Sequence, residues 1–152
     1  MLFIITISAF LVAGGINATR YWPVTSAGKG KGTSDQTTSV ELLLMDPQSG
    51  RVAKSCNLPD MPEKRREHTV DGNMVCGGFS LNSTEIDNCI ILTEGEWKET
   101  DKLTTQRSGH SSWQVCEGVV LLGGLGGTDT AELVEGKTGK TKKLFDLKYG
   151  FR

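Results

Sequence analysis

One five-residue stretch of this chain is repeated. Arg65-Arg66-Glu67-His68-Thr69 returns 42 residues later as Arg107-Ser108-Gly109-His110-Ser111. A displacement of that size marks a repeat architecture, in which each module hides its apolar side by stacking on the next. Each copy is followed by a glycine and then by an apolar run that ends in a glycine pair. The first run is Met74-Val75-Cys76-Gly77-Gly78 after Gly72, and the second is Val119-Val120-Leu121-Leu122-Gly123-Gly124 after Gly118. The second copy is four residues longer between its histidine and its glycine. A polar stretch, an acidic-apolar strand (85–93; 131–135), a glycine turn and a last strand (97–100; 141–147) complete each unit. Four short β segments per unit are therefore expected. Glycine makes up 19 of 152 residues, and only four prolines are present, which favours tight turns over disorder or collagen.

A weaker copy precedes these two. Val24-Thr25-Ser26-Ala27-Gly28 stands where the apolar run and glycine pair belong, and 41–45, the turn 46–50 and 51–57 supply its other strands. The second glycines then fall at 28, 78 and 124, intervals of 50 and 46, whereas Gly14-Gly15 would make the first interval 63.

The Arg-x-x-His element, the apolar run with its glycine pair and Trp97, nineteen residues after Gly78, resemble kelch repeats. The segment 55–134 is especially similar to secreted kelch-like proteins of invertebrates. In this sequence Ile90 replaces the aromatic residue seven before Trp97, and Val52 and Thr141 stand near the Trp position in the other two units. The resemblance implies an all-β chain, a partial kelch-type β-propeller of about three four-stranded blades. Period and pattern support the same architecture, because radial repetition of four-stranded sheets leaves only short, protected edges. Its divisions are a signal peptide at 1–18, a degenerate repeat at 19–64, and repeats at 65–106 and 107–152, the last stopping where another would begin. Propellers need about four to eight blades, so the missing blades are expected in cis or in trans.

The first eighteen residues differ from the rest. Residues 2–13 are almost all apolar and are followed by the small residues Gly14, Gly15 and Ala18, the layout of a signal peptide cut after Ala18 or Gly15. The alternative is a buried strand over 7–12 that ends at a Gly-Gly turn. The run is too short for a membrane span of about 20 residues. Export would place Cys56, Cys76, Cys89 and Cys116 in an oxidising compartment. Cys76 and Cys89 flank one hairpin and are the disulfide candidates, closing a loop of about 14 residues worth roughly 3 kcal/mol. Cys56 and Cys116 are read as free thiols or as partners of missing blades. Asn17 and Asn82 open N-x-Ser/Thr sequons, and Asn82 would sit at the tip of the bridged loop.

Arg65, His68, Gly77, Gly78, Trp97, Arg107, His110, Gly123 and Gly124 are assigned to the repeat itself. A side chain needed once by chemistry has no reason to recur in every unit. A buried ring nitrogen or guanidinium that bonds its neighbours does. The histidines are expected to bond neighbouring backbone groups, and the arginines to pair with carboxylates or with carbonyls of adjacent blades. Trp22, Trp97 and Trp113 are read as packing residues.

No catalytic, cofactor or metal site is assigned. Gly139-Lys140-Thr141 lacks the leading glycine of a phosphate loop, and Gly124-Leu125-Gly126 lacks the later glycine of a dinucleotide fingerprint. With 17 basic and 18 acidic residues there is no global field to collect nucleic acid, and the lysines at 137, 140, 142, 143 and 148 read as a solvated strand and turn. The reading is a secreted scaffold that binds an unknown protein or glycan through loops 79–84 and 125–130. Two alternatives stay open. A galactose-oxidase-like copper enzyme would require Tyr21, Tyr149 and the histidines to converge on a metal. A cytosolic kelch adaptor for ubiquitin ligase or actin would require reduced thiols.

Overall fold

The computed structural model of this chain describes residues 8–13, 38, 40–45, 52–126 and 129–149. Every regular element among them is a β-strand, so none is a helix long and apolar enough to cross a membrane. The first sheet holds β1 (Ser8–Ala13), β2 (Val40–Met45) and β3 (Val52–Leu58). A second holds β4 (Thr69–Asp71), β5 (Met74–Cys76), β6 (Asn88–Thr93) and β7 (Glu96–Lys102). A third holds β8 (Ser111–Gln114), β9 (Gly118–Leu122), β10 (Thr130–Glu135) and β11 (Thr141–Asp146). All three are antiparallel meanders in which each strand lies beside its neighbours in sequence.

Units 65–106 and 107–152 therefore share one topology, four short strands in the same order, as the repeat predicts. The hairpin closing the second sheet turns on Glu94 and Gly95, with φ of 54° and 81°. Two consecutive left-handed residues match the right-handed twist of the flanking strands. In the third sheet the four residues added between histidine and glycine widen the β8–β9 turn and lengthen its first strand.

The first sheet departs from the sequence reading at one place. The strand paired with β2 is β1, with Phe10 opposite Leu43 and Ala13 opposite Val40. This is the segment read above as a leader, here in its alternative form as a strand. A leader and a buried strand are both short apolar runs, and Ser8–Ala13 followed by Gly14-Gly15 has the form of β5 and β9 with their glycine pairs. Residues 24–28, assigned above to that strand position, lie outside the described residues.

Two apolar layers lie on either side of the second sheet. Val75 and Ile90 pack with Val40 and Met61 of the first unit, flanked by Leu58, Val70 and Trp97. On the other face Met74, Cys76, Cys89, Ile91 and Leu103 pack against Val119, Leu121 and Val134 of the third sheet. Strand alternation sends successive residues to opposite faces. A middle sheet buried on both therefore reads as an unbroken apolar run, which is the form of 74–76 and 89–92. Trp97 also donates its indole N–H to the Pro59 carbonyl at 2.8 Å, tying the second sheet to the segment that follows β3. Trp113 does not pack in this way. It lies on the outer face of the third sheet and is 70 % exposed, so it is not part of the buried core. Trp22 lies outside the described residues.

Cys76 and Cys89 face each other directly across β5 and β6, with Cα atoms 4.0 Å apart, and are joined by a disulfide. Both are buried, so the bridge is also a packing element of the layer between the second and third sheets. Cys116 is an exposed free thiol. Cys56 lies on β3, and its side chain falls outside the described set. Replacing both bridged cysteines by alanine should lower the unfolding free energy by about 3 kcal/mol. Urea denaturation of the oxidised protein and of the variant measures it, and reductant should affect only the former.

Candidate functional site

The two repeated arginines hold the chain reversals that follow the glycine pairs. Arg65 is fully buried, and its Nη1 donates to the Asn88 carbonyl at 3.0 Å and the Gly77 carbonyl at 3.4 Å. Its Nη2 donates to Glu63 Oε1 and to Asn88 Oδ1, both at 2.7 Å. Burial pushes the Arg65 guanidinium below the usual arginine value, and the Glu63 carboxylate opposes that shift. Arg107 repeats the arrangement one unit on. Its Nη1 donates to the carbonyls of Gly123 at 2.9 Å and Thr130 at 3.4 Å, and its Nη2 to Thr130 Oγ1 at 2.9 Å. Its counter-charge is Glu132, with Nη2 and Oε1 2.7 Å apart and both side chains fully buried. The other carboxylate oxygen, Oε2, accepts from the Thr104 backbone N–H at 2.7 Å and the Thr104 hydroxyl at 2.9 Å.

Each guanidinium thus crosses its own sheet from the end of the second strand to the start of the third. The sequence reading offered carboxylates or carbonyls of adjacent blades as partners: each arginine has its carboxylate, while the carbonyls it bonds lie in its own sheet. The arginine that reaches the adjacent sheet does so through its backbone, the Arg107 carbonyl accepting from Gly78 N–H at 2.9 Å. That contact explains the glycine pair. A Cβ on Gly77, whose φ is +57°, would lie 2.4 Å from the Arg107 carbonyl oxygen, and one on Gly78 would lie 2.6 Å from that of Arg66. No other residue fits there without moving backbone.

The histidines complete the lock. His110 Nε2 lies 2.8 Å from the Thr69 hydroxyl on β4, bridging the third unit to the second sheet. Its partner is a side-chain hydroxyl and not the backbone group expected from sequence. Burial first, then the charges of Arg107 and His68, push its pKa down to about 3, so the ring is neutral near pH 7. His68 is half-buried at the same point of the preceding unit. The residue before each histidine has a left-handed backbone, φ 54° at Glu67 and 56° at Gly109, and Gly109 N–H donates to the Glu67 carbonyl at 2.9 Å.

Beside this lock lies a cleft of about 410 Å³ between the 79–84 loop and the segment before Arg65. Ser80 and Thr84 line it from the loop, Glu63 from the segment before Arg65, Glu85 and Asp87 from the stretch leading into β6, and Glu99 from β7. Three of the four carboxylates have partners: Glu63 on Arg65, Glu85 receiving the Ser108 hydroxyl at 2.9 Å, and Asp87 on Lys102 at 2.6 Å. The loop is braced by Ser80 N–H to the Thr84 carbonyl, and Arg66 donates to the Ser83 hydroxyl while stacking on the Phe79 ring. At its tip Asn82 is exposed and Leu81 is 63 % exposed. Asn17 and residues 127–128 of the second loop lie outside the described residues.

Sequence reasoning assigned the arginines, histidines and glycines but missed Glu63, Thr69 and Glu132. Glu132 was legible as the charged residue in the otherwise apolar Leu121–Val134 layer; Thr69 and Glu63 carry no such signal. Tyr21 is outside the described residues and Tyr149 is exposed. Among the described residues, no three His, Cys, Asp or Glu side chains are grouped as metal ligands. No family model matches the chain, and no curated protein matches it.

Two outcomes follow from the lock. Arg107→Met leaves Glu132 buried without its counter-charge and should cost about 3–5 kcal/mol. Adding Glu132→Met should recover much of that loss, as a double-mutant cycle by urea denaturation will report. The second concerns pH. His110 titrates near 6.5 when unfolded and near 3 when folded, so the unfolded state takes up a proton that the native state refuses. Its contribution is complete above pH 6.5 and is lost as pH falls towards 3, at up to about 1.4 kcal/mol per pH unit. Stability measured from pH 7 to pH 4 should fall less steeply in His110→Gln than in the parent.

Proposed function

We propose that this chain is a secreted binding module, part of a kelch-type β-propeller, that holds a protein ligand without transforming it. Three features support the architecture: the common topology of the two four-stranded sheets, their stacking through one apolar layer, and the Arg-x-x-His and Gly-Gly elements at matching points. The buried disulfide supports export, since such bridges persist in oxidising compartments. The exposed sequon at Asn82 fits the same compartment.

The observation that carries the binding role is the acidic cleft beside the 79–84 loop. Loops held on a rigid sheet scaffold are where recognition concentrates. Four carboxylates around one concavity favour a ligand that presents a Lys or Arg side chain. The lock residues have structural partners within the fold, whereas the cleft is open to an outside group.

A secreting cell line tests both halves. Mass spectrometry of the exported protein should find the Cys76–Cys89 bridge and a glycan on Asn82, and its amino-terminal residue decides between leader and β1. Calorimetric titration with a Lys/Arg-rich peptide should show binding that weakens at high salt and by about fivefold or more in Asp87→Asn/Glu99→Gln. Binding indifferent to both would reject the cleft, and four free thiols on an intact, unexported chain would reject secretion.

A further inference from the structure

Two features of the second unit are absent from its copy, and the repeat accounts for neither. The first is a run of three basic residues, Lys64-Arg65-Arg66. Aligned on the buried arginine, the next unit reads Gln106-Arg107-Ser108, so only the middle residue is needed for the lock. The second is the disulfide. Cys76 and Cys89 face each other just before the glycine pair, and the facing residues at that point of the third sheet are Leu122 and Ala131.

The fold joins these two features. Arg65 is held by the carbonyls of Gly77 and Asn88 and by the Asn88 side chain. Gly77 follows Cys76 and Asn88 precedes Cys89, so the bridge fixes both ends of the segment that grips the guanidinium.

Endoproteases specific for paired basic residues cut runs of this kind. They need a side chain free to enter the protease pocket, on an extended backbone whose N–H and C=O groups can pair with the enzyme. Here each requirement is blocked. Arg65 is fully buried. Arg66 exchanges both backbone bonds with Phe79, at 3.0 and 2.8 Å, while its side chain lies over the Phe79 ring and donates to the Ser83 hydroxyl. Glu67 has a φ of 54°, far from extended. Lys64 is the exposed member of the run.

We propose that Lys64-Arg65-Arg66 is a fold-gated cleavage site for an endoprotease that recognises paired basic residues. While the Cys76–Cys89 bridge is missing, water hydrolyses the peptide bond after Arg66, leaving a carboxylate on Arg66 and a new amino terminus on Glu67. Once the bridge forms, Arg65 and Arg66 are withdrawn and the bond is closed to attack. Meeting such a protease rests on the secretion proposed above, whereas the gate rests on this geometry alone.

Incubating the oxidised chain and its Cys76→Ala/Cys89→Ala variant with a serine endoprotease of this specificity, and weighing the products by mass spectrometry, tests the gate. The bridged chain should stay whole. The variant should yield fragments 1–66 and 67–152 about tenfold faster or more, since cleavage follows the population of the open form. Adding Lys64→Gln and Arg66→Ser, the residues of the third unit, should abolish that cut while leaving the lock arginine in place. A bridged chain cut as fast as the variant overturns the proposal, as does a variant that stays whole or is cut equally fast without the two flanking basic residues. Amide exchange in β9 and β10 shows whether the variant keeps its fold. If it does not, Phe79→Ala in the bridged chain, which frees Arg66 alone, should be cut about tenfold faster than the parent, and its resistance overturns the gate. A chain that binds no basic peptide and is never exported still passes or fails this test, so the two readings fail separately.

Discussion

The close approach of the Gly77-Gly78 backbone to the carbonyls of Arg66 and Arg107 is the constraint on which the stacking depends. A Cβ at Gly77 would fall 2.4 Å from the Arg107 carbonyl oxygen, so a side chain there would push the second and third units apart, and one at Gly78 would meet the Arg66 carbonyl oxygen of its own unit at 2.6 Å. The same approach forms the bond from Gly78 N–H to the Arg107 carbonyl and brings His110 to Thr69. It also sets the spacing at which Val119, Leu121 and Val134 close over Met74, Cys76 and Ile91. Backbone contact and apolar burial are therefore one interface, with the polar lock at one end and the disulfide within its core.

The lock carries ionised groups in a region with little water, which is costly unless each is matched. The two units meet that demand differently. Arg65 faces Glu63, whose side chain is 42 % exposed, whereas Arg107 faces Glu132, which is fully buried and takes two further bonds from Thr104. The Arg107 lock thus also ties the third sheet to the segment that leaves β7. Stability between these sheets is expected to be more sensitive to Arg107 than to Arg65, because a buried charge left alone costs more than a half-solvated one.

The cleft was less legible than the fold because it is made by residues that belong to no pattern. Glu63, Glu85, Asp87 and Glu99 are scattered over 37 positions of sequence and meet only when the loop after β5 folds back towards the segment before Arg65. Charge count gave no hint of them, since a near-neutral chain can still concentrate one sign locally. The loop 79–84 was legible as a presented loop, since it follows the glycine pair and carries the sequon. Its role as one wall of a cleft was not.

By itself the sequence determined the module: its length, its four strands, the glycine turns, and the disulfide between facing strands. Each of these is local or periodic; the 42-residue copy reports the strands and glycine turns twice, and the disulfide follows from the placing of Cys76 and Cys89 about one hairpin. Tertiary structure decided what depends on neighbours far along the chain. It gave β1 a partner in β2, 27 residues downstream of its end, where an apolar run alone reads equally as leader or strand. It aimed both guanidiniums into their own sheets and left Trp113 in solvent. An apolar or charged residue carries no mark of whether another sheet will arrive to cover it, because that is settled by stacking geometry and not by the residue.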